Sequence, residues 1–346
     1  MAVASTKEPK KCAISGKLYV VRAEDEHMAS DMNDASPTSL NHIVGQKTVV
    51  DQLRVALDAA FEDHRRLDDA LLVGPPGLGK SQIASVIGYE LAVKCHEALG
   101  QSIKCAADLN ALLLGAGEKE VVFIDEVHEL PKVFQTALYL ALDKRRLVVR
   151  GGESFHTIPL AGFTLLLGTT DEYCLLQPLR DRMRLLLRFE FYTNDELTKI
   201  VTHRAKALQW ATDESLPPLI AQRARGTPRL ALRLLQACHR VCRAEGERSV
   251  TTDHLRKACA LEHLDDMGLG PLEQRYLRAL AEGTSRLNVV ASMLGLPTRT
   301  LSTVTEPFLL RAGLVVKDDS GRRQLTAAGR DHLAKSCQEG VQLPSE

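Results

Sequence analysis

Net charge is missing from this chain: 44 lysines and arginines balance 44 aspartates and glutamates over 346 residues. No overall field therefore draws a polyanion, and any contact with nucleic acid has to come from local patches. Paired Cys-x-x-Cys spacing is missing too. The eight cysteines, Cys12, Cys95, Cys105, Cys174, Cys238, Cys242, Cys259 and Cys337, are scattered, and a chain this long needs no disulfide staples, so reduced thiols in a cytosol are expected. Cys238 and Cys242, with His239 between them, have no second ligand pair nearby and read as buried small apolar residues, not as a metal site. The sequence shows neither an N-terminal apolar segment of signal-peptide type nor a run long enough to span a bilayer. A soluble, cytoplasmic protein is expected. Hydrophobic residues make up 45% of the chain, enough to bury real cores in two or three domains.

Two stretches carry chemistry. The first, Gly74-Pro75-Pro76-Gly77-Leu78-Gly79-Lys80-Ser81, fits the pattern G-x-x-x-x-G-K-[ST], in which closely spaced glycines let backbone N–H groups curl around phosphates. Lys80 supplies a charge near the β and γ phosphates, and Ser81 offers a hydroxyl to Mg²⁺. An apolar run, Ala70-Leu71-Leu72-Val73, precedes the loop, and Ile83, Val86, Ile87 and Leu91 follow at helical spacing. A chance glycine turn does not explain the whole match together with strand, loop and helix in the required order.

The second stretch, Val121-Val122-Phe123-Ile124-Asp125-Glu126, reads as a central strand of a parallel sheet ending in two carboxylates. Asp125 is expected to hold Mg²⁺ through water, and Glu126 to act as the general base that orients the attacking water. The two strands can lie side by side with their carboxyl ends on one site, where open α/β sheets bind ligands. His128 completes the string Asp-Glu-Val-His. It is read as opening the following helix, because a two-motor helicase has no room in a chain of this length.

The first large domain is predicted to be a three-layer α/β nucleotide-binding fold over residues 36–192, with a hairpin from Leu147 to Leu160 and a buried strand in Phe163–Leu167 that closes in Gly168-Thr169-Thr170. Strands then stop. Helices over Asn194 to Leu208, Leu216 to Arg225, Pro228 to Glu245 and Thr252 to Leu261 form an all-helical lid over 193–267, with capping stretches at Asp213-Glu214-Ser215 and Thr251-Thr252-Asp253. After the break at Gly268-Leu269-Gly270-Pro271, short helices and a two-stranded ribbon around Asp318-Asp319-Ser320-Gly321 suggest a winged helix over 268–336. The helix Thr298 to Ala312 is its candidate reader and the ribbon its wing. Residues 1–35 are an N-terminal extension with a strand-like piece from Lys17 to Arg22, and 337–346 are expected to be a disordered tail.

The order of these motifs, with Pro178-Leu179-Arg180-Asp181-Arg182, Phe189-Glu190-Phe191-Tyr192, Gly226-Thr227-Pro228-Arg229 and Glu306-Pro307-Phe308-Leu309-Leu310-Arg311-Ala312-Gly313-Leu314, closely resembles the RuvB family, AAA+ ring motors that drive branch migration of Holliday junctions. The resemblance implies an AAA+ P-loop ATPase that uses ATP and Mg²⁺ and acts as a homo-oligomeric ring, a hexamer, on four-way or duplex DNA. It makes Thr170 the first sensor of the γ-phosphate, Arg182 a finger reaching into the neighbouring subunit's site and Arg229 the second sensor. Tyr192 and Pro228 fall where the family contacts base and ribose, Ile43 and Val44 on the adenine side, and Arg322 and Arg323 in the DNA-binding wing. Arg180, Arg184 and Arg188 read instead as snorkelling surface charges.

Several positions depart from the family pattern. Ser36 stands for an arginine, Asp171 for another after the sensor threonines, Met183-Arg184 for Phe-Gly, and the hairpin around Gly151-Gly152-Glu153 is shorter where the family docks its partner RuvA. These departures point to an intact motor with altered docking of a RuvA-like partner. A second class, the AAA+ initiators and loaders that use ATP as a binding switch, shares the same domain set; DNA-stimulated hydrolysis separates the two.

Overall fold

Uninterrupted apolar runs become the central strands of a parallel sheet. The structure is a computed structural model and describes residues 11–14, 17–20, 36–151 and 154–338. The rest of the expected N-terminal extension, the hairpin tip at Gly152 and Glu153, and the tail beyond residue 338 lie outside the described residues. Near the N-terminus, β1 (Lys11–Ile14) and β2 (Lys17–Val20) pair as an antiparallel ribbon.

The α/β body runs through α1 (Lys47–Glu62), β3 (Ala70–Val73), α2 (Lys80–Glu90), β4 (Cys95–Leu99), α3 (Ala106–Leu114), β5 (Val121–Asp125) and α4 (Lys132–Lys144). The hairpin β6 (Arg146–Gly151) and β7 (Ser154–Pro159) follows, then β8 (Thr164–Thr169), α5 (Gln177–Arg180) and β9 (Leu185–Arg188). Five strands form one parallel sheet in the order β4-β5-β8-β3-β9. Successive side chains of a strand point to opposite faces, and here both faces are covered. Leu71, Val122, Ile124, Leu165 and Leu167 pack with Leu113 and Leu138 of α3 and α4. Their neighbours Leu72, Val121, Phe123 and Leu166 pack with Val49, Leu53, Ile83 and Ile87 of α1 and α2. The glycine-loop strand and the carboxylate strand, expected side by side, are not neighbours: β8 lies between β3 and β5, and the carboxyl ends of the three adjacent strands share one edge of the sheet.

The helical unit comprises α6 (Asn194–Ala207), β10 (Ala211–Thr212), α7 (Leu216–Arg223), α8 (Pro228–Ala244), β11 (Ser249–Val250) and α9 (Thr252–Leu261). A capping box starts α6: the Thr193 N–H donates to Glu196 Oε2 at 2.9 Å and the Glu196 N–H to Thr193 Oγ1 at 3.3 Å. Ser215, expected to cap α7, makes no side-chain cap bond. Pro217 and Pro218 have no N–H to be capped, so that helix start needs less help. Cys238 and Cys242 sit in the core with Leu197, Val201, Ile220 and Leu235, and burial pushes the Cys238 thiol up to about 12. Both behave as small apolar residues.

The last unit holds α10 (Pro271–Ala281), β12 (Ser285–Arg286), α11 (Leu287–Leu294), α12 (Thr298–Thr300), α13 (Glu306–Arg311), β13 (Val315–Lys317), β14 (Arg322–Leu325) and α14 (Ala327–Gln338). It is a winged helix with a three-stranded antiparallel sheet, β12-β14-β13. The expected reader helix is interrupted by a π turn over Leu301–Thr305. Pro307 lacks the N–H that would bond four residues back, and the wider turn absorbs the defect.

One expected DNA contact is corrected here. Arg323 turns inward: its Nε donates to Glu306 Oε1 at 2.7 Å and its Nη2 to Glu306 Oε2 at 3.1 Å, and the buried Tyr276 hydroxyl donates to the same carboxylate. Largely covered as well as paired, the Arg323 guanidinium is not offered to phosphate; Arg322, beside it, is exposed. Glu306 is 5% exposed and Arg323 12%, so Arg323→Met, which strands a buried carboxylate, is expected to destabilise the winged helix by about 3–5 kcal/mol. Chemical denaturation followed on the winged helix checks this, and a loss below about 1 kcal/mol would place the pair among weak surface ion pairs. No helix among the described residues is long and apolar enough to cross a membrane.

Candidate nucleotide-binding site

The glycine loop adopts backbone angles that side chains resist. Gly77 and Gly79 have φ of +81° and +97°, and a Cβ on Gly77 would lie 3.0 Å from Arg229 Cβ. Gly79 is the N-cap of α2, so the free N–H groups of that helix face the loop and favour an anion. Lys80 is buried and donates from Nζ to Gly74 O at 2.7 Å and Pro75 O at 3.2 Å. Burial lowers its pKa from the ordinary lysine value, while the Glu126 and Asp125 carboxylates oppose that shift. Leu78 points the other way and anchors the loop in the core.

The carboxylates sit opposite. Ser81 Oγ donates to Asp125 Oδ2 at 2.7 Å, and the Glu126 N–H donates to Asp125 Oδ1 at 2.9 Å. A Cβ at Gly168, on the adjacent β8, would come within 2.7 Å of Asp125 Oδ1, so only glycine leaves that carboxylate in place. Ser81 and Asp125 thus present hard oxygen donors at one point, a set that fits Mg²⁺. Glu126 adopts φ +48°, and its Oε2 is buried with no hydrogen-bond partner among the described residues. His128 Nδ1 lies 3.3 Å from that oxygen without hydrogen-bond geometry, so proximity alone does not satisfy it. The side chain as a whole is 35% exposed, which leaves the carboxylate within reach of water.

His128 does more than open the next helix. Its Nδ1 is 3.2 Å from Thr169 Oγ1, tying the segment after β5 to β8. Thr170, just past β8, is half-buried and does not line the cleft described next.

A cleft of about 810 Å³ opens between the loop and the helical unit, within the size range of small-molecule sites. Ile43 and Val44 line one side, Tyr192, Pro228 and Arg229 the other, with Pro76, Gly77, Gly79, Lys80, Ser81, Asp125 and Glu126 at the phosphate end. Tyr192 is a hinge between units: its hydroxyl donates to Leu78 O at 3.2 Å and its N–H to Gly226 O at 3.0 Å. Burial pushes its phenol up to about 12. The α6 residues Ile200, His203 and Arg204 also line the cleft. They are absent from the sequence expectations, since only the packing of α6 over the loop brings them there.

Arg182 lies outside the cleft, paired with Asp143. Arg184 and Arg188 are exposed, pairing with Asp68 and Glu172, as surface charges do. Glu245, Glu247 and His254 are the one cluster among the described residues with metal-ligand spacing. His254 Nδ1 accepts the Thr251 N–H at 2.9 Å, which leaves the ring proton on Nε2, facing both glutamates. That nitrogen has no lone pair for a metal.

Comparison with known proteins matches the α/β body, the helical unit and the winged helix. Three family models cover the chain: the Holliday junction DNA helicase RuvB P-loop domain over residues 35–189, the RuvB AAA lid domain over 192–265 and the RuvB C-terminal winged helix domain over 266–334. The Holliday junction branch migration complex subunit RuvB of Kosmotoga olearia is 34% identical over 313 residues, 88% of this chain and 91% of the relative. That of a Synechococcus strain is 36% identical over 354 residues, 98% of each chain. The solved Thermotoga maritima RuvB Holliday junction branch migration motor superposes with a TM-score of 0.74 at 32% identity, covering 90% of this chain and 99% of that one.

Proposed function

Since this chain belongs to the RuvB family, we propose that it is the ATP-driven motor subunit of a complex that migrates Holliday junction branches in DNA recombination and repair. The convergence of Lys80, Ser81, Asp125 and Glu126 below a cleft roofed by the helical unit carries this reading.

In the proposed mechanism the N–H groups of the loop and α2 hold the triphosphate, with Lys80 beside the β and γ phosphates. Mg²⁺, when bound at Ser81 and Asp125, neutralises charge that builds on the phosphates. Glu126 takes the proton of the attacking water. Thr170 senses the γ-phosphate at the end of β8. Arg229 extends from the first turn of α8, against Gly77, and couples the lid to the phosphates. Arg182, which faces away from its own cleft, completes the site of the next copy in a hexameric ring. Arg322 on the wing contacts the DNA backbone. Partner subunits belong to the same proposal, and Val148, exposed on the β6–β7 hairpin, offers them an apolar contact. The activity is assigned to the cytoplasm, where the DNA substrate lies.

The test is steady-state ATPase activity with and without a four-way junction, alongside duplex of equal length. Stimulation by the junction, accompanied by strand exchange on a labelled junction, is the expected result. A rate indifferent to DNA would favour a nucleotide switch over a motor.

A further inference from the structure

The arginine assigned to the neighbouring site is not a loose side chain. Arg182 Nε donates to Asp143 Oδ1 at 2.6 Å, its Nη2 donates to Asp143 Oδ2, and its Nη1 donates to Pro178 O. The Tyr139 ring lies beneath it, 4.8 Å from Cζ to the ring centroid. Tyr139 and Asp143 are one helical turn apart on α4, so a single helix face supplies both the floor and the clamp.

The five N–H bonds of a guanidinium point along three edges. The carboxylate takes the side edge formed by Nε and Nη2, and the carbonyl of Pro178 takes one Nη1 hydrogen. One hydrogen on Nη1 and one on Nη2 remain unused within the subunit, and guanidinium N–H groups are strong donors to phosphate oxygens. Arg182 stays 30% exposed and Asp143 40%, so the pair can be reached from outside the subunit. Asp143 also lies in the last turn of α4, where a carboxylate opposes the negative end of the helix dipole. Its presence there needs a partner, and Arg182 is that partner: the guanidinium holds the Asp143 carboxyl below the usual range.

We propose that Asp143 is a positioning residue for ATP hydrolysis, gripping the side edge of Arg182 over Tyr139 so that its remaining N–H groups meet a phosphate bound by the adjacent copy. The proposal rests on the reading of Arg182 as a residue acting between subunits. It also gives α4 a second task, since the helix that aims the finger runs directly into the β6–β7 hairpin.

The experiment compares full-length wild type with Asp143→Ala, Asp143→Glu and Arg182→Ala in junction-stimulated ATPase assays, with oligomer mass measured in ATP. Asp143→Ala is expected to lower kcat roughly 10- to 100-fold, the scale of a misplaced catalytic group, while KM and oligomer mass stay as in wild type. Asp143→Glu, which keeps the carboxylate, recovers most of the loss. An unchanged kcat for Asp143→Ala overturns the proposal. So does a raised kcat, which would make Asp143 a latch that restrains the finger, and so does a loss that follows oligomer dissociation or that Asp143→Glu fails to repair. If Arg182→Ala itself keeps near wild-type turnover, the intersubunit reading fails on its own account; an inactive Arg182→Ala beside a fully active Asp143→Ala removes only the positioning role.

Discussion

Arg182→Ala is expected to lower ATP turnover by about a thousandfold or more while leaving nucleotide binding intact, the scale on which arginine fingers act elsewhere. The binding half follows from the location of the side chain. Arg182 does not line its own cleft, and its partners are Asp143, Pro178 and Tyr139, all of the same subunit and all away from the phosphate loop. Truncation therefore leaves the loop, the Ser81–Asp125 contact and the lid untouched. The turnover half requires the guanidinium to meet phosphates held by another copy, where its charge offsets the charge spreading over the transferring phosphoryl group. A fluorescent ATP analogue measures binding and phosphate release measures turnover on the same sample. Mixing gives the sharper check: Arg182→Ala subunits combined with Lys80→Ala subunits, each inactive alone, should regain part of the rate, because junctions between an intact loop and an intact finger then form. Turnover of Arg182→Ala within about tenfold of wild type, far short of a finger's contribution, would refute the assignment.

How much of this was legible in the sequence depends on the range of the interactions. β3, β5 and β8 are buried on both faces and read as plain apolar runs. The phosphate loop follows from local stereochemistry, and the lid helices from their period. Edge positions were less clear: at the rim of the sheet β4 carries half-buried Cys95 and His96 and exposed Glu97, and its mixed pattern matches no strand template. Long-range pairings left no trace in the sequence. Arg182 and Asp143 are 39 positions apart, Arg323 and Glu306 17. A basic pair in a wing suggests DNA, yet the wing's alternation sends Arg322 out and Arg323 in, toward a carboxylate that nothing local announces. His203 and Arg204 reach the cleft only because α6 folds back over the loop, a placement set by packing of the lid core.

Glu126→Gln is expected to separate binding from chemistry more cleanly than any other change in the cleft. The amide has the shape of the carboxylate, so the left-handed turn at Glu126 and the N–H donated to Asp125 Oδ1 are retained, and with them the oxygen donors at Ser81 and Asp125. What changes is one atom: a carboxylate oxygen gives way to an amide nitrogen, and the side chain no longer carries the charge that draws a proton from water. General-base loss of this kind typically costs about 10²–10⁴ in rate, so turnover should collapse while ATP affinity holds or rises, and the protein should accumulate on junction DNA in its ATP-bound form. Lys80→Ala offers the contrast, because removing the loop's only buried cation weakens phosphate binding itself. Should Glu126→Gln lose affinity as fully as Lys80→Ala, the carboxylate would be holding the loop together instead of activating water. Its partnerless oxygen argues the opposite, since a group with a structural task would have a hydrogen bond to perform it.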